Sequence, residues 1–166
     1  MDSVNITGQF TTLTILQKGE KQQIDDWNIN PEVCAYRELN ADTTTLQNLS
    51  FGIHDKGSGK LIGDIGISCV DPKNKHAEIG LSIGDKSLWG KGYGTDAVKA
   101  VLAFCFEKLN LNKVYLDVWE ENQRAIKCYL RCGFRNDGTL RQHVWKDGRY
   151  HNKIIMSILK GEWVKP

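Results

Sequence analysis

Along the 166 residues, apolar and polar positions change period several times, and each change marks an element. Residues 10–16 alternate Thr with apolar side chains at the two-residue period of a strand. Residues 20–28 carry Ile24 and Trp27 at helical spacing until Asn30-Pro31 breaks the helix. The signal is weak across 31–50. Residues 50–54 and 60–70 read as strands joined by Asp55-Lys56-Gly57-Ser58-Gly59, and Asp71-Pro72-Lys73-Asn74 turns into a further strand over 76–83. This stretch predicts an antiparallel meander.

The period then lengthens. Val98, Val101, Leu102, Cys105 and Leu109 form one apolar stripe of a helix opened by Thr95 as its cap and ending near Leu109-Asn110. Residues 113–119 alternate Val114, Leu116 and Val118 against Tyr115, Asp117 and Trp119. A second helix covers 122–133, where Gly133 suits a left-handed terminus. Phe134 restarts extended structure, and 139–145 and 149–159 flank Lys146-Asp147-Gly148 as a hairpin. The predicted order is strand, helix, three strands, helix, strand, helix and a closing hairpin. That order describes a mixed sheet in one α/β (α+β) domain spanning 1–166.

Composition narrows the function. With 40% apolar residues the chain can bury a core of its own, and 22 Lys plus Arg against 20 Asp plus Glu, without a run of one sign, give no nucleic-acid footprint. The N-terminus lacks a basic, apolar secretory start and no window reaches membrane-spanning length, so a soluble cytoplasmic protein without membrane contact is expected. Cys34, Cys69, Cys105, Cys128 and Cys132 are odd in number and mostly in segments that read as apolar faces, which fits reduced thiols. Cys128 and Cys132 share a helix face, but nothing completes a four-ligand set, and no metal is expected.

The strongest chemical signal is Trp89-Gly90-Lys91-Gly92-Tyr93-Gly94-Thr95, between a strand and a helix. Unpaired backbone N–H groups and the helix dipole converge there, glycine permits close approach of an anion, and Lys91 adds positive charge. The alternative is a tight loop that merely needs glycine. The string lacks the Gly-Lys-Ser/Thr ending of a P-loop. A dinucleotide site, with Asp117 as its ribose-binding acid, is opposed by the G-x-G-x-G spacing, by a preceding strand that is not an apolar run, and by residues 84–89 between strand and glycines. A nicotinamide-dependent oxidoreductase therefore ranks behind the reading that follows.

Asn122, Ala125 or Ile126, and Tyr129 share one face of the second helix, where alone they would pass for a cap and half-buried neighbours. Taken with Ala77-Glu78-Ile79-Gly80-Leu81, Leu88 to Thr95, Leu116-Asp117-Val118 and Gly133-Phe134, they resemble the GCN5-related N-acetyltransferase (GNAT) superfamily over roughly 60–160. Within it, the Trp-Gly-Lys-Gly-Tyr string and the closing hairpin resemble the ribosomal-protein N-terminal and spermidine acetyltransferases. Trp89 replaces the Gln or Arg that usually opens the glycine motif, and 40–50 is short and Thr-rich where the family has a fuller helical segment bordering the acceptor site.

The resemblance implies a mostly antiparallel central sheet containing two parallel strands that splay, flanked by helices and ending in a β-hairpin. It implies acetyl transfer from acetyl-CoA to a primary amine, either a protein N-terminal α-amino group or a small polyamine-like molecule, by direct attack. A catalytically silent CoA-binding regulatory module is the second reading. The pantetheine arm would lie along the strand carrying Leu81 and Ile83, the pyrophosphate on Trp89, Gly90, Lys91, Gly92, Tyr93, Gly94 and Thr95, with Asn122 on the arm and Lys127 toward the outer phosphates. Tyr129 would serve the leaving thiolate, and Glu78 or Asp117 would be the base, Glu78 being favoured by its Glu-Ile-Gly context. Arg141, His143, Trp145, Arg149 and His151 would lie on a hairpin bordering the acceptor channel. A homodimer is compatible with this reading.

Overall fold

The computed structural model describes residues 4–28, 30 and 49–165. The Thr-rich segment of the acceptor wall lies outside the described residues, except at its end, where β3 begins. Among the described residues eight strands form one sheet in the order β1-β2-β3-β4-β5-β6-β8-β7. They are β1 (Asn5–Thr7), β2 (Thr11–Ile15), β3 (Leu49–Asp55), β4 (Leu61–Asp71), β5 (His76–Ile83), β6 (Lys113–Trp119), β7 (Arg135–Lys146) and β8 (Arg149–Leu159). The helices are α1 (Lys18–Asn28), α2 (Tyr93–Ala103) and α3 (Gln123–Arg131). The mixed, mostly antiparallel architecture ending in a hairpin is thus the one expected.

Inward positions of the central strands supply Phe51, Ile53, Ile65, Ile67, Ile79, Val114, Leu116, Met156 and Ile158 to a single core, closed by the α2 stripe of Val98, Val101 and Leu102. Burial of apolar area at about 25 cal/mol per Å² drives this packing. The hairpin closes through Asp147 and Gly148, both left-handed at φ 51° and 77°, the two-residue turn whose twist matches the strands.

Several local expectations are corrected. β1 is an additional strand, only three residues long and too short for a periodic signal. The stripe helix is α-helical only to Ala103 and continues as a wider π turn, Phe104–Lys108. Its N-cap is Gly92, not Thr95, which lies inside the first turn. Cys69 is exposed, while Cys105 and Cys132 are buried. Asp96, in that same first turn, accepts from the amides of Gln9, Phe10 and Thr11 at 2.7–2.9 Å, tying the β1–β2 connection to the start of α2.

Candidate active site

The site starts from a ladder that stops. β5 and β6 run parallel but pair only from His76↔Lys113 to Glu78↔Tyr115. Beyond that point β5 stays with β4 as far as Ile83↔Gly63, and β6 stays with β8 as far as Trp119↔Lys153. The strands therefore diverge, and the edges facing the gap keep backbone groups that an extended ligand can pair. A cleft of about 410 Å³ fills the gap, lined on one side by Glu78 to Ile83 and on the other by Asp117, Val118 and α3.

At one end of the cleft the chain turns into α2. Gly90 and Gly92 are left-handed, at φ 75° and 94°, a geometry that costs a residue with a Cβ roughly 1–2 kcal/mol. The first intrahelical bond there is Asp96 N–H to Gly92 O at 2.9 Å. Among the described residues the amides of Gly92, Tyr93, Gly94 and Thr95 consequently have no backbone acceptor, as expected of the first turn of a helix. The Lys91 amide is different: it donates to Leu88 O at 3.3 Å.

Trp89 does not present its ring nitrogen to a ligand. Its Nε1 donates to Ile83 O at 2.7 Å, and the Arg124 guanidinium lies 3.4 Å over the ring, so Trp89 ties the end of β5 to α3. Lys91 and Lys127 are exposed and are not part of the cleft wall; Arg124 and Arg131 of α3 are. Helical spacing alone could not tell which cation on α3 faces the loop.

Asn122 caps α3, its Oδ1 accepting from Ala125 N–H at 3.2 Å, while the residue also lines the cleft. Leu81 and Ile83 lie along the same wall, each within 4 Å of where a Cβ on Gly94 would stand. Cys128 packs at the start of α2, 3.4 Å from Thr95 Oγ1, and a hydrogen bond with the Cys132 thiol lowers its pKa from the ordinary thiol value.

At the other end stand two carboxylates, Glu78 on β5 and Asp117 on β6, while Asp64 on β4 lines the cleft opposite Ser82. Burial first, and then the neighbouring Asp117 carboxylate, push the pKa of Glu78 above its ordinary value. Asp117 Oδ1 is 2.6 Å from Lys153 Nζ, a buried ammonium on β8. Tyr129 is 6% exposed, packs against Phe134 at 5.7 Å and lines the cleft; burial raises its phenol well above the ordinary value, so it stays protonated.

Lys153, Arg124 and Arg131 were not among the residues singled out by sequence. Lys153 did carry a signal, because it shares the two-residue period of β8 with the buried His151 and stands just before Ile154-Ile155-Met156. The hairpin expectation needs correction. The β7 register jumps between Leu140 and Val144, so Arg141 and His143 sit in an exposed bulge. His151 is buried, its Nδ1 2.9 Å from Glu121 Oε1 and its ring 4.9 Å from Trp119. Among the described residues no cluster could hold a metal ion, and no helix is long and apolar enough to cross a membrane.

A family model described as acetyltransferase (GNAT) domain matches residues 14–135. The "Uncharacterized N-acetyltransferase p20" of Bacillus licheniformis is 34% identical, across 93% of this chain and 97% of that protein. Spermidine N(1)-acetyltransferase of Vibrio cholerae is 28% identical, across 92% and 95%. A crystal structure of the Vibrio cholerae spermidine N-acetyltransferase in complex with CoA and spermine matches with a TM-score of 0.81 at 27% identity, covering 92% of this chain and 96% of that one.

Proposed function

The chain belongs to the GNAT acetyltransferase family and is an acyl-CoA-dependent N-acetyltransferase with acetyl-CoA as co-substrate; from that premise we propose that its acceptor is a small polycationic amine and that Glu78 is the general base. The observation that carries the acceptor reading is the division of charge along the cleft. The Gly92 to Thr95 amides, Arg124 and Arg131 stand at one end, and Glu78 and Asp117 at the other. The first end suits the diphosphate of the co-substrate, through helix N-terminal amides and the dipole behind them. The second suits ammonium groups.

At pH 7 fewer than about one lysine-like amine in a thousand is uncharged, so attack on the thioester needs a proton acceptor close by. Glu78, partly buried and made more basic by Asp117, is suited to that task, whereas Asp117 is already paired with Lys153. The amine nitrogen then bonds to the thioester carbonyl carbon as the carbon–sulfur bond breaks. Tyr129, protonated and on the cleft wall, supplies a proton to the leaving thiolate. Leu81, Ile83 and Asn122 line the path assigned to the pantetheine arm, and Gly92 to Thr95 the diphosphate seat.

Steady-state turnover across a panel of acceptors tests the acceptor class. Spermidine is expected to have a kcat/KM at least about tenfold above that of a monoamine of similar basicity, since one well-placed ionic contact is worth about that much. The advantage should shrink as salt is raised, because exposed charge attraction is screened. A neutral peptide with a free α-amino group outperforming spermidine at every salt concentration would replace the polyamine reading with an N-terminal one.

A further inference from the structure

We propose that Lys153 is a positioning residue for proton transfer: by holding Asp117 as an anion, it leaves Glu78 as the one member of the carboxylate pair that takes up the acceptor's proton. This rests on Glu78 being the base. The geometry behind it spans three neighbouring strands. Glu78 and Asp117 approach across the point where β5 and β6 separate, and Lys153 reaches in from β8, opposite Trp119, with its Nζ 2.6 Å from Asp117 Oδ1.

An ammonium whose side chain is 6% exposed is costly to bury without a counter-ion, so the contact with Asp117 is a fixed part of the site rather than a surface pair. The Asp117 side chain is 32% exposed, which leaves its other oxygen able to interact with Glu78. Two carboxylates in contact without a cation hold one proton between them, and neither is then a dedicated acceptor. Lys153 breaks that symmetry by pairing with Asp117 at hydrogen-bond distance, while its charge also favours the anionic form of Glu78.

The other groups facing Glu78 are Cys69 from the β4 bulge, whose thiol bonds the carboxylate, and Tyr115 from β6, whose phenol is pushed toward higher values by burial and then by Glu78. Tyr115 stays protonated at neutral pH, and Asp117 and Lys153 supply the charge asymmetry. In the step itself the ammonium N–H bond breaks, an O–H bond forms on Glu78, and Asp117 and Lys153 keep their protonation.

The test is the pH dependence of kcat/KM, whose acid limb reports the free enzyme's base. It is measured for wild type, K153M, D117N, the D117N/K153M double variant and E78Q, with acetyl-CoA affinity determined alongside. Lys153→Met is expected to move the acid limb to higher pH and lower kcat/KM on that limb about tenfold, the consequence of removing one nearby charge. Acetyl-CoA affinity should not change. Asp117→Asn should move the limb to lower pH, and the double variant should return it near the wild-type position.

Limbs that coincide for wild type, K153M and D117N, with E78Q losing the limb, would overturn the role of Lys153 and leave the base intact. An E78Q profile keeping the wild-type limb would instead remove Glu78 as the base. Should K153M fail to fold, Lys153→Gln, which keeps a polar contact with Asp117 without the charge, decides, since a limb coinciding with that of wild type means that Lys153 has no influence.

Discussion

Glu78→Gln is expected to lower kcat by about 10²- to 10⁴-fold, the span a positioned general base contributes. The amide keeps the size and the hydrogen-bonding reach of the carboxylate, so the strand and the cleft wall stay in place while the proton acceptor is lost. Acetyl-CoA affinity, determined by calorimetry, should stay within about twofold of wild type, because the diphosphate seat lies at the other end of the cleft. Tyr129→Phe should also lower kcat with little change in affinity, but by less for acyl donors whose leaving thiol is more acidic, since these need less help from a phenol. Full turnover in E78Q would transfer the role of base to another group, and Asp117, ion-paired though it is, would be the first to examine.

The second large effect concerns the diphosphate seat. Gly92→Val is expected to raise the acetyl-CoA dissociation constant about 100-fold. Gly92 stands at φ 94°, and nothing lies within 4 Å of the position its Cβ would take, so the substitution meets open space rather than protein. The harm has two sources. A β-branched residue is strained in this conformation and turns the following amides, and its methyl groups stand where the anion approaches. Hydrogen bonds to a charged group are worth about 1.5–3 kcal/mol each, so losing one or two reaches the expected magnitude. Gly148→Ala, at the left-handed tip of the β7–β8 hairpin, is the control: a similar backbone penalty, lower thermal stability, and an unchanged dissociation constant.

Much of this site could be read from the sequence, for reasons tied to particular residues. Period-two patterns along β4, β5 and β6 gave strands with the right neighbours, because each has one face in the core. The glycine string fell between strand and helix, where only anion chemistry or tight turning needs it. Other features depended on long-range pairing. The separation of β5 from β6 is a property of a ladder that ends at Glu78↔Tyr115, and no local pattern encodes that end.

A lysine on a strand is ordinarily solvated, whereas Lys153 is buried with Asp117 as an ion-pair partner, a pairing across strands that local sequence does not show. Arg124 rather than Lys127 reaches the loop because the stacking of its guanidinium on Trp89 selects it, a contact between elements 35 residues apart, 89 to 124. Thr95 resembles a cap because Thr commonly is one, yet a left-handed Gly92 fills that position and leaves its amide and those of the next three residues without a backbone acceptor among the described residues.

Those four amides are the centre of the account, and amide-resolved NMR of the ¹⁵N-labelled protein titrated with CoA observes them directly. The expected result is saturable movement of the Gly92, Tyr93, Gly94 and Thr95 resonances at the concentration where calorimetry reports binding. The same four resonances standing still while CoA binds and other residues respond would contradict it, and would move the diphosphate away from the start of α2.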